Sequence, residues 1–121
     1  MKLISYILLI QGIYYFISGM WPLLDIDSFM LITGPKTDIW LVKTVGVLVV
    51  MIALALLSAR HRQETGAAII IISLGSAVGL AIIDIIYSLS GRISKIYLAD
   101  ACIQAFFIIS WVRSKIQFTK D

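Results

Sequence analysis

Lys43, Asp84 and Asp100 are ionisable side chains set inside stretches otherwise apolar enough to cross a membrane. A charge in hydrocarbon is costly, so such residues are usually paired, turned inward and functional. Each lies four or five residues from the outer end of its segment. At 1.5 Å per residue that is roughly 6–8 Å below the boundary, so the three form one layer. One base then faces two acids. Either one carboxyl keeps its proton or a cation fills the gap. Both options suit proton handling or the binding of an amine, and nearby aromatic rings would help hold a cation.

Helical spacing extends each charge into a face. Asp84 shares a side with Leu80, Tyr87 and Ser88. Asp100 shares one with Tyr97 and Gln104, then with Phe107 and Trp111 further along. Lys43 goes with Trp40 and Val47, and Gln11, Tyr14, Tyr15 and Ser18 line a stripe of the first segment. Turned inward, these stripes make a polar, aromatic-lined pocket in the outer half of a bundle. The candidate ligand-binding set is Lys43, Asp84, Asp100, Gln104, Tyr15, Gln11, Trp40, Tyr87, Ser88 and Tyr97. The bland alternative is structural. Lys43 could snorkel to the interface, or pair with Asp84 and lock two helices, while Asp100 reaches Lys95 or Arg92. Gly75 and Gly79, four residues apart, form a small-residue packing ridge. It lies about 140–180° around the helix from Asp84, at 100° per residue. Its partner is either an adjacent helix or a second subunit, the latter giving a homodimer.

The elements that position these residues follow from composition. Of the 121 residues, 60% are apolar, and the mean hydropathy is +1.00. Soluble domains hold about 45–50% apolar residues. Uncharged runs cover 3–24, 44–59, 66–83 and 101–112. With roughly 20 residues needed per crossing, the second must extend back to include Lys43 and the fourth to include Asp100. The predicted spans are 3–24, 39–59, 66–89 and 96–113. A soluble four-helix bundle would need polar faces that most of these segments lack. The predicted fold is a single membrane domain over 1–121, an all-α transmembrane four-helix bundle with short antiparallel connections.

Segment 3–24 is too long for a signal peptide, and no small-residue cleavage site follows it. Lys2, Arg60, Arg62, Arg113, Lys115 and Lys120 fall on one side; Lys36, Arg92 and Lys95 fall on the other. The positive-inside rule makes the first side cytoplasmic, with both termini inside. Trp21, Trp40, Tyr87 and Tyr97 mark the outer interface, and Trp111 the inner one. In the outer loop 25–38, residues 29–32 read as an interfacial turn of helix or a flap. Gly34-Pro35 ends it, and Thr37 or Asp38 caps the next span. Residues 114–121 read as a mobile tail, and Cys102 as a buried inert thiol.

Several classes are excluded. The net charge of +3 comes without a basic stripe or nucleic-acid motif, so no nucleic-acid partner is expected. His61 stands alone in a polar loop, leaving no metal cluster. There is no P-loop, dinucleotide motif or serine-nucleophile elbow, and no cofactor is expected.

Two strings carry a resemblance. One is Gly34-Pro35-Lys36-Thr37-Asp38-Ile39-Trp40-Leu41-Val42-Lys43-Thr44-Val45-Gly46. The other runs from Asp84 through Tyr87, Gly91, Ile93, Ser94, Tyr97 and Leu98 to Asp100-Ala101. Over 34–101 the chain resembles small, uncharacterised four-span bacterial membrane proteins. The resemblance implies a bacterial cytoplasmic (inner) membrane location and transfers no activity. The expected function is binding of a lipophilic or cationic ligand, or a proton, in an outward-facing pocket, for transport or sensing. One alternative is a membrane-embedded lipid or isoprenoid isomerase or hydratase, with Asp84 and Asp100 as acid and base and Lys43 tuning them. The other is an accessory subunit of a larger membrane complex.

Overall fold

A computed structural model describes residues 2–120, with side chains described over 3–114. The described residues form five α-helices: α1 (Lys2–Leu24), α2 (Ile26–Thr33), α3 (Ile39–Arg62), α4 (Ala67–Leu89) and α5 (Tyr97–Lys120). Three are long and apolar enough to cross a membrane, over Leu3–Leu24, Ile39–Arg62 and Ala67–Leu89, which is the signature of a multi-pass membrane protein. α5 is a fourth long helix but is not among those three. It runs through Lys120, so 114–120 continues a helix where a tail was expected. The side chains of Lys2, Lys115 and Lys120, on which the orientation expectation partly rests, lie outside the described residues.

Local chemistry sets the boundaries. Pro22 sits in the last turn of α1, and the helix stops two residues later. Asp25 then caps α2, its carboxylate accepting from the Ser28 amide. The Trp21 indole donates to Ser28 Oγ at 2.9 Å, and its ring meets Phe29 edge-on at 5.2 Å. The expected interfacial turn is therefore a full eight-residue helix pinned back onto α1. Gly34, at φ +102°, ends it in a conformation that L side chains rarely adopt. Arg60, His61 and Arg62 occupy the last turn of α3, where cations suit the helix dipole.

α1 packs most extensively on α3, and α4 on α5; α1 and α5 form a lesser contact. The α1–α3 seam depends on glycine. A Cβ on Gly19 would lie 2.7 Å from the Gly46 carbonyl oxygen, and one on Gly46 equally close to that of Gly19. A Cβ on Gly12 would meet Leu57 at 2.8 Å. The order of these contacts makes α1 and α3 antiparallel. The Gln11–Ser73 and Tyr15–Ser76 hydrogen bonds run α4 parallel to α1. α1 and α4 thus meet across one diagonal, while α3 and α5 stay apart across the other. Leu8, Leu56, Phe107 and Trp111 belong to the core that fills the end away from α2.

Candidate functional site

A fixed polar column rises from this core. The Gln11 amide is fully buried: its Nε2 donates to the Ser73 carbonyl at 2.9 Å, and its Oε1 accepts from Trp111 Nε1 at 2.8 Å. Both ends of the amide are thereby satisfied, which a buried glutamine requires. One turn up α1, the Tyr15 hydroxyl donates to Gln104 Oε1 at 3.1 Å and lies 3.0 Å from Ser76 Oγ. Gln104 Nε2 donates to Asp100 Oδ1 at 3.4 Å, and the Tyr14 hydroxyl donates to the same oxygen. Tyr14, Tyr15 and Phe107 pack as an aromatic cluster around this column.

Asp84 completes the group from α4. It is 5% exposed, its Oδ2 has no hydrogen-bond donor, and its carboxyl stands beside that of Asp100. An unpartnered buried carboxylate oxygen is expensive, so this atom asks for a proton or a donor.

Beside Asp100 lies a cavity of about 400 Å³. Its walls are Tyr14, Ser18 and Gly19 of α1, Val42, Val45, Gly46 and Val49 of α3, and Ala99, Asp100, Ile103 and Gln104 of α5. Phe29, Ile32 and Thr33 of α2 cover it together with Lys36. It occupies the space between α3 and α5. Its volume falls within the roughly 300–1,000 Å³ of small-molecule sites, and a mostly apolar wall with a few convergent polar groups is their usual construction. Asp100 reaches the cavity surface, whereas Asp84 stands behind it.

The sequence-derived candidates separate under this geometry. Gln11, Tyr15, Asp84, Asp100 and Gln104 come together in the column, and Tyr97 lines the cavity. Ser88 is buried, yet its hydroxyl donates to the Ser94 carbonyl at 3.2 Å and braces the α4–α5 connection. Tyr87 and Trp40 point outward, Trp40 being 69% exposed. Lys43 is also on the exposed surface of α3, and the neighbour of Asp84 is Asp100. The expected Lys43–Asp84 pair is therefore not formed. The reason is rotational: Gly46 must face α1, which turns the valines toward the cavity and sets Lys43 about 100–160° around the helix from them, at 100° per residue.

The lysine beside the cavity is Lys36. Its Nζ lies 3.2 Å from the Thr33 and Gly34 carbonyl oxygens, 3.4 Å from Thr33 Oγ, and 5.2 Å from the centre of the Tyr97 ring. Helical periodicity could not place a residue on a loop that folds back over the bundle end. Tyr14 had been legible as part of a polar stripe but not as the hydroxyl that meets Asp100.

Gly75 and Gly79 meet nothing: a Cβ on either would have no heavy atom within 4 Å. The ridge therefore packs against no other described part of this chain, and the close helix approach uses Gly12, Gly19 and Gly46 instead. Cys102, expected to be buried, is exposed on α5. Among the described residues, no three His, Cys, Asp or Glu side chains converge on a point. No protein-family model, curated protein or solved structure matches the chain.

Proposed function

We propose that the chain is a four-span membrane bundle that binds a lipophilic molecule with a polar or cationic end, in a pocket open toward the outer face. The carrying observation is the apolar cavity of about 400 Å³ whose polar groups converge on Tyr14, Asp100 and Gln104 at one end. An apolar body would fill the space between Val45, Val49 and Ile103, and its polar end would meet the carboxyl.

The fourth span is α5. Its mean hydropathy is lowered by Asp100 and Gln104, which face the interior, and by Arg113 near its end, while Phe106, Ile109 and Val112 form an exposed apolar stripe. At 1.5 Å per residue its 24 residues reach about 36 Å, enough to cross a core of about 30 Å. Arg60 and Arg62 at the end of α3, with Arg113 on α5, support cytoplasmic placement of both termini. The bacterial cytoplasmic membrane is the location that fits this arrangement and the resemblance over 34–101.

The isomerase or hydratase alternative needs a lysine beside the two acids, and Lys43 faces away. Binding is the reading that uses the residues actually gathered.

The test is equilibrium binding of triphenylphosphine oxide, a neutral lipophile, and tetraphenylphosphonium, a lipophilic cation, to the purified protein. Saturable binding at one site is expected for both. Val49→Trp, which fills the cavity, should weaken both at least tenfold while leaving the helical circular dichroism intact. Non-saturable partitioning, or a Val49→Trp variant that binds normally, would overturn the reading.

A further inference from the structure

The two aspartates differ in what already satisfies them. Asp100 Oδ1 accepts from Tyr14 and Gln104 and is presented to the cavity. Asp84 is buried behind it, with an oxygen that meets no donor and Asp100 as its carboxyl neighbour. The groups facing this pair can be named element by element. α1 supplies the hydroxyls of Tyr14 and Tyr15, and α5 supplies the Gln104 amide. α3 supplies only valines and glycine to the cavity, its Lys43 being outside. Lys36 is held at the cavity roof by Thr33 and Gly34. No cation among the described residues touches either carboxyl. Two adjacent carboxylates without a counter-charge repel each other in a site of low dielectric, and one proton shared between them relieves that repulsion.

We propose that a cation entering the cavity binds at Asp100 in exchange for that proton, so that this protein couples the binding of one lipophilic cation to the release of one proton. This rests on the reading of the cavity as a ligand site. The balance closes: the empty site is one carboxyl and one carboxylate, net −1. The loaded site is two carboxylates and one cation, again net −1, with the proton passed to the aqueous side. Exchange avoids leaving a net charge change in the cavity, which is where electrostatic cost is greatest. It also gives Asp84 a role distinct from that of Asp100: Asp100 touches the ligand, and Asp84 is the second carboxyl without which the empty site has no proton to share.

The experiment uses tetraphenylphosphonium, a permanent cation with no proton of its own, added to purified protein in weakly buffered detergent solution with a pH indicator. Triphenylphosphine oxide is the neutral control. About one proton released per cation bound, and none with the neutral probe, is the expected result. Asp84→Asn should still bind the cation but release fewer than about one proton in five binding events. Asp100→Asn should lose at least tenfold in cation affinity while keeping the neutral probe. The resting protein should also show a protonated-carboxyl infrared band that tetraphenylphosphonium abolishes, a readout requiring no variant. Cation binding without proton release or band loss would overturn the exchange and leave the pocket reading standing. Binding of the neutral probe alone would do the same. Saturable binding of neither probe would overturn both.

Discussion

The α1–α3 seam and the α3–α5 gap use the same helix in opposite ways. On one side of α3, Gly46 lets the backbone come within contact of Gly19, and no side chain larger than hydrogen fits. On the adjoining side Val42, Val45 and Val49 face a cavity of about 400 Å³. Neighbouring residues of one helix thus border both a site where a methyl group is excluded and one where a small molecule has room. Small residues permit close approach, but only where the opposing helix offers small residues too. Gly75 and Gly79 show the converse, since their spacing meets the motif and nothing in the chain meets them. The closed seam fixes the depth and rotation of α3, and that rotation decides which of its side chains reach the cavity and which reach lipid.

The largest expected effect tests the seam. Gly19→Leu must force the two backbones apart, and overpacking of this kind should cost about 3 kcal/mol in detergent unfolding experiments. The same substitution at Gly79 enters open space and should stay within about 0.5 kcal/mol. Equal costs at the two positions would erase the distinction between them. An intermediate effect tests the other fastening, the α1–α4–α5 column. Gln11→Leu strands the indole N–H of Trp111 in the core, which should lower stability by about 2 kcal/mol. Its Trp111 fluorescence should shift as the hydrogen bond is lost; an unaltered unfolding midpoint would mean that the column does not fasten the helices. The smallest effect concerns the two lysines. Lys43→Met should change cation affinity less than twofold, because Lys43 lies off the cavity. Lys36→Met should speed cation association several-fold by removing a like charge from the roof. A larger response at Lys43 than at Lys36 would reverse their assignment.

Much of this was legible in the chain itself. The predicted spans begin within one residue of the four long helices, because a crossing segment must be long and mostly apolar, whereas α5 runs seven residues past its predicted end. The grouping of Gln11, Tyr15, Asp84, Asp100 and Gln104 was legible from spacing, because helical periodicity puts residues three and four apart on one face. Periodicity gives faces but not their absolute rotation. Lys43 shows this: its depth can be read from the sequence, while the direction it points depends on a Gly19–Gly46 contact between separate helices. Lys36 is hidden from periodicity for a related reason. Its place over Tyr97 depends on the path of the loop after Gly34, and that path is set by tertiary packing. Cys102 follows the same rule, since an apolar neighbourhood in sequence can mean core or lipid.

The placement of the cavity at the α2 end also has an electrical consequence. Side chains such as Leu8, Leu56 and Phe107 make the opposite half a packed apolar layer. In a polarised membrane most of the voltage would fall across that layer rather than across the shallow cavity. Moving one charge through the whole field is worth about 2.3 kcal/mol per 100 mV. A cation stopping a quarter of the way across a core of about 30 Å would feel only about 0.6 kcal/mol of it. On the proposed orientation the bundle is thus an insulator with this recess on its shallow side. If the α2 end faces outward as proposed, occupancy of that recess should follow the chemistry of the outer solution far more closely than the membrane potential.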